Sequence, residues 1–572
     1  MTDLAKIKLF LFDKTVILII LSLLLALFLR MHNLIGSGGL WLDECLSYYN
    51  ASFPFGAPLI NNLAHNSIHS PLYFLLLNLW MKLFNNSDIT LKLFSVLFGV
   101  INIPVAYLAG KEMLDRQTGL LSAMLFSVNA FLIYYSQEVR FYSLLALLST
   151  LVFYFLFKIK NNPTKYAFAG LILSNLAILF TFTISMPFVI IQSIIFGIYF
   201  FRHNRENFKK LLYSYLLIFT FYLPYFPVVI YQLFLVHNNI INFVGDFHLY
   251  QILSIIQNYF SPVLINTSNN SLNYSIYFLS GIKNINYIFY AVIPVAISLY
   301  AIKNTILKRN FASLILLIGF LYIIIIIIAA YTGKLNLITR YTMLSLPTFI
   351  LAVAYGLKQI KIRTLGIILT TYLITVGFSY NIFGYSDLQK ASRLEGLKYV
   401  SVALTELKFG KDDIVIMPYG ARFFNKYYQY NDAIIKDFDI LRLGNPDKSV
   451  FFDNNVINSI KSGKDENTII NYAASIQPSK NLSDFMHDKI LSRVKKRNQR
   501  VAIVLSPMLY NIYSMDELRL IAESGSKYYD IPMFNLLISK IVHDTINLTS
   551  AELRLDKMEK YRGWIILVYK KI

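Results

Sequence analysis

The strongest constraint on the fold is a series of long apolar runs that occupies residues 15 to 383. Most of these runs approach about 17–25 residues, the length with which a helix crosses the hydrocarbon core of a bilayer. We therefore predict about eleven membrane-spanning helices. Their approximate bounds are Thr15–Leu29, Leu91–Gly110, Leu120–Tyr135, Phe141–Phe157, Tyr166–Phe182, Ile184–Phe201, Leu211–Leu233, Ile285–Ile302, Phe311–Tyr331, Tyr341–Leu357 and Leu365–Phe383.

Composition divides the chain into two parts. Only 15% of its 572 residues are charged and 56% are hydrophobic, whereas soluble proteins carry about 25% charged residues. Most carboxylates lie from Asp387 onward, where short strand patterns alternate with helical ones. The strand patterns are Asp413–Met417, Arg500–Leu505 and Gly563–Tyr569, and the helical ones include Arg393–Leu407 and Met515–Ser524. We predict an α-helical polytopic membrane domain over residues 1–383, with a first outer loop at 31–90, and a C-terminal extracytoplasmic α/β domain over 384–572.

The basic residues set the predicted orientation. The net charge of +21 reflects lysines and arginines in short loops between apolar runs, a pattern of cytoplasmic loops rather than of a nucleic-acid surface. The basic loops all lie on the cytoplasmic side if the N-terminus is cytoplasmic and the short run Pro71–Phe84 is an interfacial or re-entrant helix. Thr15–Leu29 reads as a retained helix, because no small-residue cleavage pattern follows it. The single cysteine, Cys45, excludes an internal disulfide bond.

An adjacent acidic pair, Asp43 and Glu44, follows the first apolar run in the sequence Trp41-Leu42-Asp43-Glu44-Cys45. Carboxylates are scarce in this half of the chain, and acids at a membrane are costly and commonly functional. A carboxylate in an apolar pocket can accept a proton from a hydroxyl group, as a general base does. Two solvated loop acids, or acids at the start of a helix, would give the same sequence.

Further polar residues interrupt apolar segments on the same predicted outer face. Glu138 and Arg140 lie at the tip of a helical hairpin, where a structural ion pair or a snorkelling arginine is the alternative to a functional role. The spacing of His65 and His69 would place them on one helix face. They could bind a metal ion together with carboxylates such as Asp43 and Glu138, or make polar contacts to a sugar or phosphate.

Cations supply candidates for binding an anionic group. Arg340, followed by Tyr341, opens the tenth predicted span, where an arginine either anchors lipid headgroups or binds phosphate oxygens through its guanidinium fork. Lys82, in the interfacial segment, is a weaker candidate for the same role. The candidate substrate-binding residues are His65, His69, Tyr73, Lys82, Arg140, Arg340 and Tyr341.

Taken in order, several motifs resemble the GT-C superfamily of membrane glycosyltransferases, in particular the bacterial relatives of protein O-mannosyltransferases and lipid A aminoarabinose transferases. The motifs are WLDE, HSPLYFLLLNLW, SDITLKLFSVLFGVINIPVAYLAGKEML, YYSQEVRFYSLLALLS, FYLPYFP and TRYTMLSLPTFILAVAYGL. The resemblance is strongest from Leu40 to Leu151 and weaker to Leu357. The region Leu179–Gln192 departs from the pattern, since it lacks a histidine that such relatives often carry there.

The resemblance implies an inverting transfer of a sugar from a polyprenyl-phosphate donor to an acceptor at the outer face of a bacterial inner membrane. It implies that Asp43 is the general base, that Glu44 positions the acceptor or tunes that base, and that Glu138 lies near the acceptor or a divalent metal. Arg340 would stabilise the departing lipid phosphate. The expected partners are the lipid-linked donor, a lipid, glycan or protein acceptor, and membrane lipids, with no nucleic acid.

Other functions remain open from the sequence. A polytopic transporter or glycolipid flippase would place ionisable groups near the bilayer midplane and often contains inverted repeats. An outer-face polymerase or ligase for lipid-linked glycans would share the substrates. A non-catalytic subunit with a binding domain is the third alternative.

Overall fold

The computed structural model describes residues 14–32, 34, 39–40, 42–66, 69–239, 249–260, 288–332, 335, 337–384, 404, 406–409, 413–417, 439–442, 498–505, 553–561 and 564–571. The chain divides into two compact units. The first comprises Met1–Ser37 and Asn50–Ser392, and the second comprises Gly38–Tyr49 and Arg393–Ile572. Each unit is described below by itself.

The first unit is helical throughout its described part. In chain order its helices are α1 (Lys14–His32), α2 (Leu42–Ala51, shared with the second unit), α3 (Ala57–Asn66), α4 (Leu72–Leu83), α5 (Asp88–Met113), α6 (Arg116–Val128), α7 (Ala130–Ser136), α8 (Tyr142–Asn161), α9 (Lys165–Leu179), α10 (Met186–His203), α11 (Arg205–Tyr222), α12 (Phe226–Asn239), α13 (Leu249–Phe260), α14 (Ile293–Leu307), α15 (Phe311–Tyr331), α16 (Leu346–Lys358) and α17 (Arg363–Ser379). Short 3₁₀ turns at Thr183–Ser185, Leu223–Tyr225 and Thr339–Thr342 and π turns at Ile288–Val292 and Tyr380–Gly384 join or extend them.

Side-chain caps explain where many of these helices begin. Ser87 accepts a hydrogen bond from the backbone N–H of Thr90 at the start of α5, and Asp115 does the same for Thr118 at the start of α6. Thr164 caps α9 in the same way. Because the first N–H groups of a helix lack intrahelical partners, these oxygens satisfy donors that would otherwise need water.

The segments predicted as spans are mainly helical in their described residues, but they differ in length. Within the described residues eight helices are long and apolar enough to cross a membrane, or nine if the bent pair α6–α7 counts as one span. That pair bends by 57° at Asn129. The two remaining predicted spans, α9 and α16, are shorter apolar helices, as is α4 at the predicted interfacial segment.

A contact with a distant segment and a proline mark the ends of the two shortened helices. At the end of α9 the carbonyl of Phe180 accepts a hydrogen bond from the backbone N–H of Leu72 at 2.8 Å, so that the chain leaves the helical path there. At the start of α16, Pro347 occupies the first turn after the 3₁₀ segment. Proline is tolerated in the first turn of a helix and breaks a helix in its interior.

The second unit contains a five-stranded sheet. Its strands are β1 (Ile414–Met417), β2 (Asp439–Arg442), β3 (Arg500–Leu505), β4 (Leu553–Tyr561) and β5 (Trp564–Lys571), in the spatial order β2-β1-β3-β5-β4. β1 pairs in parallel with β2 and β3, whereas β5 pairs antiparallel with β3 and β4. A salt bridge of 2.6 Å between Arg500 and Asp413 joins the starts of β3 and β1.

The sheet confirms the strands predicted at β1, β3 and β5, and it adds β2 and β4. β4 carries charged residues and has a register shift between Leu555 and Lys557, so it lacks the continuous apolar run of a buried strand. Most of the helical pattern at Arg393–Leu407, and all of that at Met515–Ser524, lies outside the described residues.

Candidate active site

The loop between α7 and α8 is buried although it carries charged residues. Glu138 has no exposed surface and Arg140 is 4% exposed. The loop is a tight turn, in which the backbone N–H of Arg140 donates to the carbonyl of Glu138 at 2.7 Å. A snorkelling arginine keeps its charged end in water, so the burial of Arg140 excludes that interpretation.

Two anchors fix the helix that leads into this loop. At the break between α6 and α7, Asn129 receives the N–H of Leu132 at 3.0 Å and begins α7. At the other end of α7, the side chain of Gln137 donates to the carbonyl of Arg30 at 2.8 Å, at the end of α1. Arg30 is itself 1% exposed and donates to the carbonyls of Ala26, Phe126 and Ser127. Glu138 therefore follows a residue that is tied to a second helix.

His69 lies against this loop from the connection between α3 and α4. Its Nε2 is 3.5 Å from Nη2 of Arg140, and its ring centroid is 5.4 Å from that of Phe141. Burial and the neighbouring charges of Arg140 and Arg340 lower the pKa of His69 well below its usual range. The imidazole is therefore neutral at physiological pH, in a form that can accept a hydrogen bond from a guanidinium group.

The backbone around His69 is held by a buried amide. Gln232, on α12, donates to the carbonyls of Leu63 and His69 at 3.2 and 3.3 Å. Its carbonyl oxygen accepts from Thr183, whose hydroxyl also pairs with that of Ser70. The His69 connection thus has a fixed position relative to α9, α10 and α12.

Arg340 reaches the same region from the 3₁₀ turn Thr339–Thr342. It is 9% exposed, and its guanidinium carbon lies 5.9 Å from the ring centroids of both Tyr142 and Tyr341. The Arg140 guanidinium lies over the same Tyr142 ring, also at 5.9 Å. Glu138 and Arg340 both interact electrostatically with Tyr135. The structure therefore gathers Glu138, Arg140, His69 and Arg340 into one buried charged cluster.

The remaining predicted binding residues of the first unit have different surroundings. The Tyr73 hydroxyl is 3.3 Å from that of Ser95, which lies 3.3 Å from the carbonyl of Arg140, so Tyr73 supports the cluster. Tyr341 follows Arg340, and its carbonyl accepts from Tyr322. Lys82 is exposed on α4 and lies over the ring of Phe55 at 5.3 Å, without a contact to the cluster in the described part of the chain.

The acidic pair occupies the first turn of α2, in the segment that belongs to the second unit. Glu44 is fully buried, and the carbonyl of Asp43 accepts a hydrogen bond from Ser47 at 3.0 Å. Carboxylates in the first turn of a helix interact favourably with its dipole. His65 lies near the end of α3, and its side chain is outside the described residues.

A metal ion finds little support among these residues. No group of three or more histidine, cysteine, aspartate or glutamate side chains in the described part of the chain is arranged to hold a metal. The two predicted ligands of the first unit, Glu138 and His69, lie near two guanidinium groups, whose positive charge opposes a bound cation. The charge around Glu138 and His69 therefore does not favour a metal ion at these two residues.

Sequence reasoning missed the residues that position the cluster. They are Arg30, Ser95, Asn129, Gln137, Gln232, Asn258 and Tyr259, and all but Asn129 are at most 2% exposed. Most of them are polar or aromatic residues within or at the end of an apolar run. A polar side chain in such a run is costly unless it bonds to a neighbouring helix, and that signal alone would have marked most of these positions.

An elongated cleft lies beside the Arg340 segment. Its cavity volume is about 60 Å³, and it is lined mainly by apolar side chains of α6, α14, α16 and α17. Asn129, Asn258 and Tyr259 supply its polar edge. The same Asn258 and Tyr259 bond to the turn that carries Arg340, so an apolar cleft and a buried cation are adjacent.

Comparisons with known proteins agree with this architecture. The sequence model for dolichyl-phosphate-mannose-protein mannosyltransferase matches residues 68–232. ArnT from Cupriavidus metallidurans, in the apo state, is 10% identical with a TM-score of 0.52, covering 97% of this chain and 98% of its own. The same protein bound to undecaprenyl phosphate gives a TM-score of 0.50 with the same identity and coverage.

The Archaeoglobus fulgidus oligosaccharyltransferase in the apo form is 14% identical with a TM-score of 0.51, covering 96% of this chain and 80% of its own. No curated protein matches the chain significantly. At identities this low, the structural matches show a common fold and nothing more. The matched sequence model covers the segment that carries His69, Glu138 and Arg140. The chain thus shares its overall fold with ArnT, and its helices are those of a multi-pass membrane protein.

Proposed function

We propose that this protein is an inverting glycosyltransferase, which moves a sugar from a polyprenyl phosphate to an acceptor at the outer face of a bacterial inner membrane. One observation carries the proposal. A GT-C fold brings Glu138, Arg140 and Arg340, each less than 10% exposed, together with His69 in one buried cluster. Burying charges in an apolar bundle costs free energy, which favours a functional role for them.

The donor class follows from the charge of the cluster and from the cleft next to it. Two guanidinium groups suit an anionic phosphate, because the planar fork matches its oxygens. The mainly apolar lining of the small cleft suits part of a hydrocarbon chain, since apolar surface is stabilised by removal from water. A polyprenyl phosphate combines an anionic group with such a chain, and the undecaprenyl phosphate bound to ArnT is a lipid of this kind.

The proposed reaction is a single displacement at the anomeric carbon of the donor sugar. The acceptor hydroxyl oxygen forms a bond to that carbon while the bond from the carbon to the phosphate oxygen breaks. The acceptor proton passes to the carboxylate of Asp43 as general base, and the electron pair of the broken bond remains on the phosphate. Attack from the face opposite the leaving group inverts the anomeric centre.

The other residues bind and orient in this proposal. Arg340 stabilises the charge that develops on the departing phosphate, and a charge stabilised in a dry site contributes more than in water. Glu44 and Glu138 position the acceptor. Arg140, held beside neutral His69, binds the phosphate in the ground state. No step requires a metal ion.

The location at the outer face rests on the bias of basic residues toward the loops assigned to the cytoplasm. In that orientation the second unit is extracytoplasmic and is available for acceptor recognition. Reporter fusions after Phe84 and after Tyr135 test the orientation. Both reporters are expected to show an extracytoplasmic position, and a cytoplasmic signal from either would contradict the assigned orientation.

The function is tested by mass spectrometry of lipids and glycans from a bacterial strain that lacks this protein. We expect a polyprenyl-phosphate sugar to accumulate and one sugar modification of the cell envelope to disappear. Restoring the wild-type gene should reverse both changes, whereas Asp43→Asn should reverse neither. Unchanged lipids and glycans would refute the proposal. Accumulation of the lipid only in the cytoplasmic leaflet would instead indicate the flippase function.

A further inference from the structure

The last turn of α13 contacts the turn that carries Arg340, although its own residues carry none of the proposed chemistry. We infer that Asn258 and Tyr259 are positioning residues, which hold the turn that carries Arg340 and connect it to the helix that leads to Glu138. The inference rests on the proposed function, because it assigns a role in the same reaction.

Hydrogen bonds from α13 bracket the Arg340 turn at both ends. The side-chain amide of Asn258 donates to the hydroxyl of Thr339 at 2.9 Å, at the first residue of the turn. The Tyr259 hydroxyl lies 2.6 Å from the carbonyl oxygen and from the hydroxyl of Thr342, at its last residue. A single 3₁₀ turn has few internal hydrogen bonds, so these external bonds, with that from Tyr322 to the carbonyl of Tyr341, position Arg340.

A third hydrogen bond extends from α13 to the other side of the cluster. The side-chain amide of Asn129 donates to the carbonyl of Tyr259 at 3.0 Å. Asn129 also begins α7, whose end leads through Gln137 into Glu138. Two parts of the cluster that are about two hundred residues apart in sequence are thereby joined through one helical turn. The relative position of the Arg340 turn and of the helix that leads to Glu138 therefore depends on the contacts of both with α13.

Burial makes these bonds strong determinants of position. Asn258 and Tyr259 are each 2% exposed, Thr339 is 5% exposed and Thr342 is fully buried. Little of these groups is in contact with water, and a buried polar group that loses its partner is costly. The Tyr259 ring packs against Phe349 at 5.5 Å between centroids, which fixes the direction of its hydroxyl.

Displacing the Arg340 turn should affect the chemical step. A shift of about 1 Å in a catalytic arrangement can reduce the rate by about 10²-fold. The stabilisation of charge on the leaving group depends on the distance between the guanidinium group and the phosphate oxygen. Replacement of a positioning residue should therefore lower kcat by a larger factor than it raises KM for the donor.

The test compares two variants that each remove one buried tyrosine hydroxyl. Tyr259→Phe removes the bonds to Thr342, whereas Tyr215→Phe removes a bond of 3.4 Å to Gln192, between α11 and α10. Both full-length proteins are purified in lipid nanodiscs and assayed with a polyprenyl-phosphate sugar and the acceptor identified by the lipid analysis. We expect about a tenfold loss of kcat in Tyr259→Phe alone, with similar thermal midpoints for the two variants. Equal kcat values in the two variants would overturn the inference.

A second pair of variants separates positioning from general damage to the fold. Thr339→Ser keeps the hydroxyl that receives Asn258, and Thr339→Val removes it at nearly the same volume. We expect Thr339→Ser to retain the wild-type kcat and Thr339→Val to lose about tenfold. Amide hydrogen exchange of residues 339–345 should rise in Thr339→Val and Tyr259→Phe only. If the amide hydrogen exchange of residues 339–345 is unchanged in both variants, the inference is overturned whatever their activity.

The proposed function and this inference fail in different ways. If wild-type protein transfers no sugar, the proposed function fails, while the exchange measurement still decides whether α13 holds the turn. If wild-type protein is active and Arg340→Gln is as active, the role of Arg340 fails and the inference falls with it. If Arg340→Gln is inactive while Tyr259→Phe and Thr339→Val turn over normally, the inference alone is refuted.

Discussion

Replacement of Arg340 by glutamine tests the proposed leaving-group stabilisation most directly. The donor phosphate carries one negative charge before reaction and gains a second as the sugar departs. Arg340 is 9% exposed, so its interaction with that charge occurs at an effective dielectric constant of roughly 20, where two unit charges about 4 Å apart interact by about 4 kcal/mol. The first charge contributes to binding and the second contributes to catalysis.

The magnitude follows from how much charge has developed in the transition state. If about half of the second charge has developed, the loss is about 2 kcal/mol, which is about 30-fold in kcat. Full development would give about 4 kcal/mol and nearly 10³-fold. We therefore expect Arg340→Gln to lower kcat by about 10²-fold, within the range found when one preorganised donor is removed. KM for the donor should rise as well.

The assay is single-turnover transfer in nanodiscs, with donor binding measured separately by titration. Arg340→Lys should recover part of the activity, because the charge is kept while the two-pronged hydrogen bonding is lost. Lys361→Gln, at an exposed lysine before α17, is the matched control for loss of a positive charge and should leave kcat unchanged. A kcat for Arg340→Gln within about threefold of wild type would refute the electrostatic argument, since about threefold corresponds to less than 1 kcal/mol.

Asp43→Asn should abolish transfer and leave donor binding intact, because only the proton acceptor is lost; normal single-turnover rates would exclude Asp43 as the base. His69 is neutral, since its pKa lies well below its usual range. We therefore expect the pH–rate profiles of wild type and His69→Gln to have the same shape between about pH 6 and 8, the range around the usual histidine pKa, and an inflection lost in the variant would contradict this. Gly356→Ala should lower the thermal midpoint, because its Cβ would overlap the Ala301 carbonyl, at a cost of about 1–3 kcal/mol. Gly197→Ala, with its nearest contact at 4.0 Å, should not lower it.

The sequence predicts the helices well where apolar residues continue along the whole helix. Phe311–Tyr331 is a span with identical bounds in the sequence and in the structure, because no charged residue interrupts its apolar run. The run Leu120–Tyr135 looked equally continuous, yet it bends by 57° at Asn129. A single asparagine has little effect on the average hydropathy of a run, so the bend at Asn129 is not visible in the apolar pattern.

The sheet shows the same dependence on continuity. β3 matches its predicted bounds because Arg500–Leu505 is almost entirely apolar after its first residue. β4 was missed because it lies at the edge of the sheet, carries exposed charged side chains and contains a register shift. Edge strands commonly carry charges and bulges, which prevent pairing with other chains, and these features also hide the strand in a sequence.

The candidate site was predictable as a list of residues but not as an arrangement. Glu138, Arg140 and Arg340 attract notice because charges interrupt apolar runs, whatever the fold. The contact of His69 with Arg140 depends on Gln232 and on the connection between α3 and α4. Such contacts result from packing between distant segments, and no local pattern encodes them.

The placement of Arg30 has a consequence for lipid selection. Its guanidinium group donates to the last carbonyls of α6 and to one of its own helix, so the negative ends of two helix dipoles offset its charge. Like Arg140 and Arg340, it is an arginine buried in the helical unit. In the proposed reaction, the positive charge of these arginines attracts anionic headgroups over zwitterionic ones, while the identity of the sugar is distinguished by uncharged contacts.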